Sequence, residues 1–428
     1  MSRIPLPTAS ISRNALKALL KQKTILAALE VFHAELGDVF QIPLPGFNPI
    51  MLAGPEANRF VLAEHRDALR WRSDQDPIVR LLRHGVLVED GDSHDYLRRQ
   101  MNPALHRNRL PDYVTLMREC ADFILAQWDA SVPLNVSIEI RRMALLVLTR
   151  TLFGVDFEPE MKRLWQPILR TLRYISPGLW VIWPNIPRPG YQRAFRRLDE
   201  YFYQLIAYRR ANPSSNEDLL SLLITSRMSD DLIRDQLLTM IIAGHDTSTA
   251  LLSWALYLLA CHPDIQAKAQ AEISGVLGSN PPHYSYLSEL QYLDQVINET
   301  LRLYPPIHAG LRIAATDLEF GEYCIPEGTR VMYSIYLTHR DARYWPDPSA
   351  FRPERFASTT RTPYVFLPFG GGPRNCIGMA FAQVEAKVIL ARILQKFELN
   401  STGKPVRSFM GATLEPRPAV WLTLKKRN

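Results

Sequence analysis

Cysteine is scarce in this chain, which has 4 cysteines among 428 residues. They are Cys120, Cys261, Cys324 and Cys376, which lie far apart and form no Cys-x-x-Cys pair. This distribution argues against a disulfide framework and against a zinc site. It favours a reducing compartment, so we expect a cytoplasmic protein.

The chain also lacks the run of roughly 18 apolar residues that a membrane span needs. Its most apolar tract, Leu237–Cys261, is interrupted by polar residues from His245 to Thr249 and predicts a buried core helix. The stretch Met1–Thr24 contains five basic residues and no secretory signal. We therefore expect no membrane span and no N-terminal membrane anchor.

No run of lysine and arginine with interleaved aromatic residues is present, which argues against nucleic-acid binding. The net charge is nevertheless +7, with a pI of about 9.2. A basic protein of this kind attracts DNA, anionic lipid or an acidic protein. Of these partners, we favour an acidic redox protein.

Internal repeats and low-complexity linkers are absent as well, so residues 1–428 are predicted to form one domain, acting as a monomer. Apolar periodicity predicts a mainly α fold with a minor β portion. The predicted helices are 14–37, 55–70, 92–106, 111–130, 137–152, 158–174, 189–211, 216–226, 229–261, 263–278, 286–304 and 377–396. Strands are predicted within 38–54, 311–333 and 397–424, and irregular structure at 71–91, 175–188 and 344–356.

One short segment, Pro368–Gly378, has the composition of a loop that presents a thiolate. Its three consecutive glycines remove every β-carbon and allow a close backbone approach to a ligand. Cys376 follows them where a helix is predicted to begin, so the helix dipole should favour loss of its proton. Backbone N–H groups of such a loop can also be directed at the sulfur.

Residues Phe369 to Gly378 fill the pattern Phe-Gly-x-Gly-x-Arg-x-Cys-x-Gly. This run resembles the haem-binding signature of the cytochrome P450 superfamily, in its soluble bacterial form. The resemblance implies a cytochrome P450 fold, with haem b held between the long central helix and the cysteine-loop helix. It also implies that Cys376 is the axial thiolate of the iron, with Phe369, Gly370 and Gly378 beside the cofactor. A lone cysteine is otherwise most often a small buried hydrophobe.

The central helix carries an unusual polar segment, Ala243–Ser248, with the sequence Ala-Gly-His-Asp-Thr-Ser. Glycine weakens a helix, and threonine can bond back to the carbonyl four residues earlier and open it. The resemblance implies that this segment, with Ala243 near the cofactor, faces the iron opposite the thiolate, where the co-substrate O2 binds. Thr247 would then hydrogen-bond the oxygen and Asp246 would relay protons. Alone, the motif fits a satisfied polar helix contact equally well.

Glu299 and Arg302 lie three residues apart on a predicted helix and share one face. The resemblance implies that this pair is buried behind the cysteine loop and is joined by Arg355. These three residues would form a structural ion network without a catalytic role.

A haem has two propionates, which need cations. Arg374, Arg312 and the pair His94 and Arg98, one helical turn apart, match motifs of the family at such positions. The guanidinium fork of arginine suits carboxylates. For most of the 50 lysines and arginines, a solvated surface position is the better interpretation.

The substrate pocket is expected to be lined by mostly apolar segments, which indicate a hydrophobic substrate such as a fatty acid, terpenoid or retinoid. These segments are 71–88, 175–188 with its flanking helices, Ala243, Thr247, 307–311 and 409–414. The arginine-rich stretch Arg70–Arg83 offers a grip for a substrate carboxylate, although a solvated face is the more usual role.

The favoured function is a haem-thiolate monooxygenase that receives electrons from a separate ferredoxin or flavodoxin, without a fused reductase. Attraction between the basic protein and an acidic partner would speed docking on the cysteine side, where we place Arg99 and Lys387. Peroxide-using or isomerising relatives often lack the acid–alcohol pair, and a haem sensor would need an output domain. A cysteine hydrolase would use Cys376 as a nucleophile with a distant histidine, but it leaves Glu299, Arg302 and Asp246 unexplained.

Overall fold

Helices account for most of the chain in the computed structural model, which describes residues 2–74, 76–181, 183, 186, 188–214, 217–358 and 360–427. The helices of the N-terminal half are α1 Ala9–Gln22, α2 Ile25–Leu36, α3 Pro55–Arg59, α4 Pro77–Leu82, α5 Gly91–Leu105, α6 Leu110–Leu125, α7 Val136–Leu152, α8 Glu158–Ile175 and α9 Gln192–Ala211.

The C-terminal half contains the helices that surround the cysteine loop. They are α10 Leu219–Thr225, α11 Asp230–Met240, α12 Asp246–Cys261, α13 Pro263–Leu277, α14 Gln291–Leu303, α15 Ile335–His339 and α16 Met379–Lys396. The mainly α fold predicted from the sequence is confirmed. Within the described ranges, no helix is both long and apolar enough to cross a bilayer.

Strands form the smaller β portion. They are β1 Val39–Gln41, β2 Ile50–Leu52, β3 Leu69–Arg70, β4 Leu134–Asn135, β5 Ala309–Ala314, β6 Leu318–Phe320, β7 Tyr323–Ile325, β8 Arg330–Ser334, β9 Phe397–Ser401, β10 Arg407–Met410, β11 Leu414–Arg417 and β12 Trp421–Lys426. The largest sheet has the order β1-β2-β8-β5-β3, and a second has the order β4-β12-β9. The pairs β6–β7 and β10–β11 are antiparallel hairpins.

Helix α12 lies at the centre of the main core, where it packs against α7, α14 and α16. Its Trp254 is fully buried and stacks on Tyr304 with ring centroids 3.7 Å apart. The indole N–H of Trp254 donates to the carbonyl of Leu414 at 2.9 Å. These contacts of Trp254 fix α12 against the C-terminal end of α14 on one side and the β10–β11 hairpin on another.

The helix predicted at 229–261 is interrupted, because residues Ile241–His245 form a π-helical turn between α11 and α12. The helix predicted at 14–37 divides into α1 and α2 at Lys23, whose φ of 55° is left-handed. The segment 71–91, expected to be irregular, contains α4. This short helix begins with Pro77, and the Asp76 side chain caps it by accepting from the N–H of Ile78.

Two predictions concern segments that are only partly described. Helix α8 extends to Ile175, and residues Leu179–Val181 form a helical turn inside the predicted 175–188 loop. The rest of that loop lies largely outside the described residues, as does position 216, the predicted start of α10. The cysteine helix begins at Met379 and not at residue 377.

Candidate active site

The cysteine loop has the tight backbone that its glycines predict. Gly370 and Gly372 have φ values of 70° and 64°, in the left-handed region. A β-carbon on Gly372 would lie 1.9 Å from the carbonyl oxygen of Leu62. The N–H of Cys376 donates to the carbonyl of Phe369 at 2.8 Å and closes the loop. The loop therefore packs directly on the π-helical turn Phe60–Glu64.

Part of Cys376 is in contact with solvent. Protein atoms nevertheless surround its thiol so densely that the loss of solvation raises the pKa of the thiol. A backbone hydrogen bond from Gly378 to the sulfur and the charge of Arg98 oppose that rise. The expected easy loss of the proton is therefore wrong for the protein alone. The reason is that α16 starts three residues after the cysteine and desolvation exceeds the favourable contributions. The predicted N–H contact to the sulfur is present.

Two residues of α5 approach the loop from the side. Arg98 donates to the carbonyl of Asn375 at 2.7 Å and to its Oδ1 at 2.6 Å. His94 is buried, and its Nδ1 lies 2.8 Å from Asp95 Oδ1. Burial lowers the pKa of His94, although Asp95 opposes this, and the charges of Arg374 and Arg98 lower it further. The loop residue just before the cysteine is thus held by a guanidinium fork.

Arg312 is 6% exposed, and no carboxylate among the described residues lies within ion-pair distance of it. The guanidinium of Arg312 donates to the carbonyl of the preceding residue, Leu311, at 2.8 Å. Arg374, in the loop, is 3.3 Å from Asp90. Burial lowers the pKa of Arg374 to about 10, although Asp90 opposes this, and the charges of Arg312 and Arg66 lower it further.

These cations carry more positive charge than the nearby carboxylates neutralise, at a place where charge is costly. Haem brings two carboxylates, so the side chains present fit such a group. An exposed thiol on a loop beside them fits its iron.

The central helix opens where the polar segment was found. The Thr247 hydroxyl donates to the carbonyl of Ala243 at 2.6 Å, across the end of the π-helical turn. Ala243, Gly244 and Thr247 are partly exposed, whereas most of their neighbours are buried. A β-carbon on Gly244 would lie 2.3 Å from Leu148 Cδ1, so this glycine allows α7 to pack closely.

Asp246 is buried and has both oxygens occupied. Its Oδ1 accepts from Arg141 at 2.5 Å, and its Oδ2 accepts from the Thr413 hydroxyl at 2.9 Å. Arg141 also lines a cavity of about 250 Å³ together with Glu415 and Ser253. Sequence reasoning missed Arg141, because no motif surrounds it, and included Thr413 only as part of the pocket segment 409–414.

His245 is fully buried, and its Nδ1 lies 2.6 Å from the carbonyl of Ile241. Burial, with a smaller contribution from Arg141, lowers the pKa of His245 to about 4. The ring is therefore neutral, and it donates to that carbonyl within the π-helical turn. This contact supports a structural role.

Glu385 was also missed, although a carboxyl group in an apolar helix was a visible signal. It lies on α16 and is 2% exposed. Its Oε2 accepts from the Ser248 hydroxyl at 2.5 Å, which joins the cysteine helix to the central helix. Burial raises the pKa of Glu385 to about 8, despite the bond from Ser248.

The three residues proposed as an ion network lie together. Arg302 donates Nε and Nη2 to the two oxygens of Glu299 at 2.7 and 2.9 Å. Arg355 donates to Glu299 at 2.9 Å, and both members of the Glu299–Arg302 pair are completely buried. Arg302 also donates to the carbonyls of His339, Pro348 and Ala350.

His339 connects this network to the cysteine loop, a role that the sequence did not indicate. Its carbonyl accepts from Arg302, and its Nε2 accepts from the N–H of Leu367 at 2.8 Å. Burial, reinforced by Arg302, lowers the pKa of His339 to about 3, so the ring is neutral. An accepting Nε2 places the ring proton on Nδ1.

Two surface predictions fare differently. Arg99 is exposed, but Lys387 is buried and donates to the carbonyl of Leu287 and to Asp294 Oδ2, both at 2.6 Å. Placing Lys387 on a docking face is therefore wrong, because its ammonium group is paired with Asp294 inside the helix bundle.

The arginines of the Arg70–Arg83 stretch are mostly paired or solvated. Arg72 lies 2.8 Å from Asp76, Arg83 faces several aspartates, and Arg70 and Arg80 are exposed. These contacts favour the solvated interpretation over a grip on a substrate. Of the apolar segments expected to line the pocket, Ile307 and Phe409 have exposed side chains.

The family model for cytochrome P450 matches residues 5–422. Putative cytochrome P450 139 of Mycobacterium tuberculosis is 31% identical over 423 residues, covering 93% of this chain and 97% of the relative. Mouse cytochrome P450 3A13 is 31% identical over 82% of this chain and 77% of the relative. Human cytochrome P450 4V2 is 30% identical over 80% and 74%. The chain belongs to the cytochrome P450 family. Its general class of activity is that of a haem-thiolate monooxygenase.

Proposed function

We propose that this protein inserts one atom of O2 into a hydrophobic small molecule such as a fatty acid, terpenoid or retinoid. Its electrons come from a separate ferredoxin or flavodoxin, and residues 1–428 act as one monomeric domain in the cytoplasm. The observation that carries the proposal is the exposed Cys376 thiol on a loop surrounded by cations that lack sufficient anions.

Haem b is held in this proposal by Cys376 as the thiolate ligand and by Arg374, Arg312, His94 and Arg98 around the propionates. The backbone of Phe369, Gly370 and Gly378 and the side chain of Ala243 would lie beside the cofactor. When bound, the haem–thiolate supplies the redox chemistry that cleaves the O–O bond. Support comes from Arg312, which has no ion-pair partner among the described residues, and from the Gly378 N–H that bonds the sulfur.

Thr247 and Asp246 are the proposed proton-handling residues. The Thr247 hydroxyl donates its own hydrogen to the carbonyl of Ala243. Its oxygen can still accept a hydrogen bond from a neighbouring donor. Asp246 is bound by Arg141, and that arginine lines a cavity of about 250 Å³. A proton reaches Asp246 when Arg141 moves aside, and the carboxylate then passes it towards Thr247.

Glu299, Arg302 and Arg355 are proposed to position the cysteine loop without touching the reacting atoms. The supporting path runs from Arg302 to the His339 carbonyl and from the His339 ring to the Leu367 N–H. A rigid buried network of this kind restricts where the thiolate can point.

Arg99 is the proposed docking contact for the acidic redox partner. It is exposed on α5, one residue from Arg98, which bonds the loop before Cys376. Reversal of its charge by Arg99→Glu should slow electron transfer most at low salt, since steering of this type is screened by ions.

The first test is the absorption spectrum of the reduced protein under carbon monoxide. The wild type should show the strongly red-shifted Soret band of haem with a thiolate opposite CO, and Cys376→Ser should lose it. Cys261→Ser, at an exposed cysteine far along the chain, is the matched control and should retain the band. A wild type without haem after reconstitution would overturn the proposal and leave the cysteine-nucleophile interpretation next. The same sample, titrated with fatty acids, terpenoids and retinoids, reports the substrate class through a spin-state shift.

A further inference from the structure

Helix α1 is held to the protein by one narrow face. Of its 14 residues only Ala15 is buried, and its main packing partner is α2. Leu16 and Leu20, four residues apart and therefore on one side of the helix, are 55% and 64% exposed. Ile25, just after the turn that joins α1 to α2, is 51% exposed. An apolar stripe thus faces away from the protein.

The same surface is basic without any compensating acid. Arg13, Lys17, Lys21 and Lys23 are all exposed, and no ion pair involves them among the described residues. The first acidic residue of the chain is Glu30, whose carboxylate accepts from the hydroxyl of Tyr336. Helical spacing places Arg13 and Lys17 directly alongside the two leucines.

We propose that the outward face of α1, continued by Ile25, docks onto the surface of an anionic lipid bilayer. The leucines enter the boundary between headgroups and acyl chains, while the basic side chains extend along the helix to the lipid phosphates. A helix that lies in the interface in this way needs a strong apolar side and a cationic border, and α1 has both. The docking does not depend on the proposed reaction, but it would bring the protein to the place where apolar molecules dissolve.

Two other occupants fit this face less well. A second copy of the chain would bring four like charges against four, which disfavours the contact. An acidic protein would neutralise the charges, but the stripe of exposed leucines bordered by cations is the arrangement of an interfacial helix. A lipid surface uses both features over the whole length of α1.

Sedimentation of the full-length holoprotein with vesicles tests the proposal directly. The protein should bind phosphatidylcholine vesicles that contain phosphatidylserine and should bind pure phosphatidylcholine much less. Leu16→Ser with Leu20→Ser should weaken binding at least about tenfold, since two large apolar side chains no longer enter the bilayer. Lys17→Glu with Lys21→Glu should weaken it by at least about tenfold as well, and added salt should reduce wild-type binding.

The controls apply the same changes at other exposed positions. Lys162→Glu with Lys404→Glu matches the charge change, and Val132→Ser with Ile138→Ser matches the apolar change. Both control pairs should bind vesicles like the wild type, and the carbon monoxide spectrum should be unchanged in all four double variants.

Failure of the wild type to bind anionic vesicles would overturn the proposal, whatever its spectrum shows. The proposal would also be overturned if the Leu16→Ser, Leu20→Ser variant bound anionic vesicles as well as the wild type does. Binding would then depend on charge alone, which an acidic protein partner would satisfy equally. A concentration-dependent dimer lost in the leucine variant, without vesicle binding, would assign the face to a second copy.

Discussion

Replacing Glu385 with glutamine should change how the stability of this protein depends on pH. The carboxyl group lies between α16 and α12, and the Ser248 hydroxyl is its hydrogen-bond donor. Burial raises the pKa of Glu385 from 4.5 to about 8. Each pKa unit corresponds to 1.36 kcal/mol, so the ionised form is disfavoured in the folded protein by about 5 kcal/mol.

The sign of this pH dependence follows from the pH at which the folded and the unfolded state each release the Glu385 proton. The folded protein keeps the Glu385 proton up to about pH 8, whereas the unfolded chain releases it near pH 4.5. Between these values the folded state binds one more proton, so the free energy of unfolding decreases as the pH rises. Above about pH 8 the contribution is constant. Glutamine is neutral in both states and removes this dependence.

The measurement is urea unfolding of the wild type and of Glu385→Gln at several pH values from about 4.5 to 8. Other titrating groups are the same in both proteins, so the difference between them isolates Glu385. The variant should gain up to about 5 kcal/mol relative to the wild type across this range. Glu35→Gln, at an exposed glutamate, should give a nearly constant difference. A constant difference for Glu385→Gln would refute the reasoning and show that the buried group is ionised.

Three further results are expected. Gly372→Ala should destabilise the protein by more than the 1–2 kcal/mol or so of a left-handed backbone, because the β-carbon meets the Leu62 carbonyl; Gly275→Ala, with open space around it, should be neutral or better in the same urea assay. Arg302→Lys should cost about 3–5 kcal/mol and lower the haem content, because lysine cannot reproduce the guanidinium fork in a buried ion network. Acid should lower the melting temperature from about pH 6.5 downwards. Burial lowers the pKa of His308 to about 4 and of His339 to about 3, so the unfolded chain takes up protons first.

The helices that the sequence predicted best are those with clear terminal residues. Helix α13, for example, runs from Pro263 to Leu277, just before Gly278, as the proline and glycine indicate. The short helix α4 was missed because six residues are too few for an apolar period to be visible. The π-helical turn at Ile241–His245 was foreseen only as a local opening, and the close packing of Leu148 against Gly244 within it was not visible in the sequence.

Site residues within local motifs were predictable, and their distant partners were not. Glu299 and Arg302 are three residues apart, so periodicity alone places them on one face. In contrast, Asp246 is 105 residues from Arg141 and 167 from Thr413. Partners at such separations meet only through the packing of α7 and the β10–β11 hairpin against α12. Lys387 was misplaced for the same reason, because its acid Asp294 lies on another helix.

Thr247 lies between Asp246 and Ser248, the residue that bonds Glu385, and the surroundings of the two carboxyl groups favour different roles for them. Asp246 is bound to the guanidinium of Arg141, which lines a cavity, and this contact supports its proposed role as the residue that exchanges protons with solvent. Glu385 is fully enclosed and bonded to Ser248, so it holds two helices together in neutral form. Asp246→Asn should therefore divert reducing equivalents into hydrogen peroxide at the expense of product, with an unchanged carbon monoxide spectrum. Glu385→Gln should leave the ratio of product to reductant consumed as in the wild type. Uncoupling by Glu385→Gln and not by Asp246→Asn would reverse the two assignments.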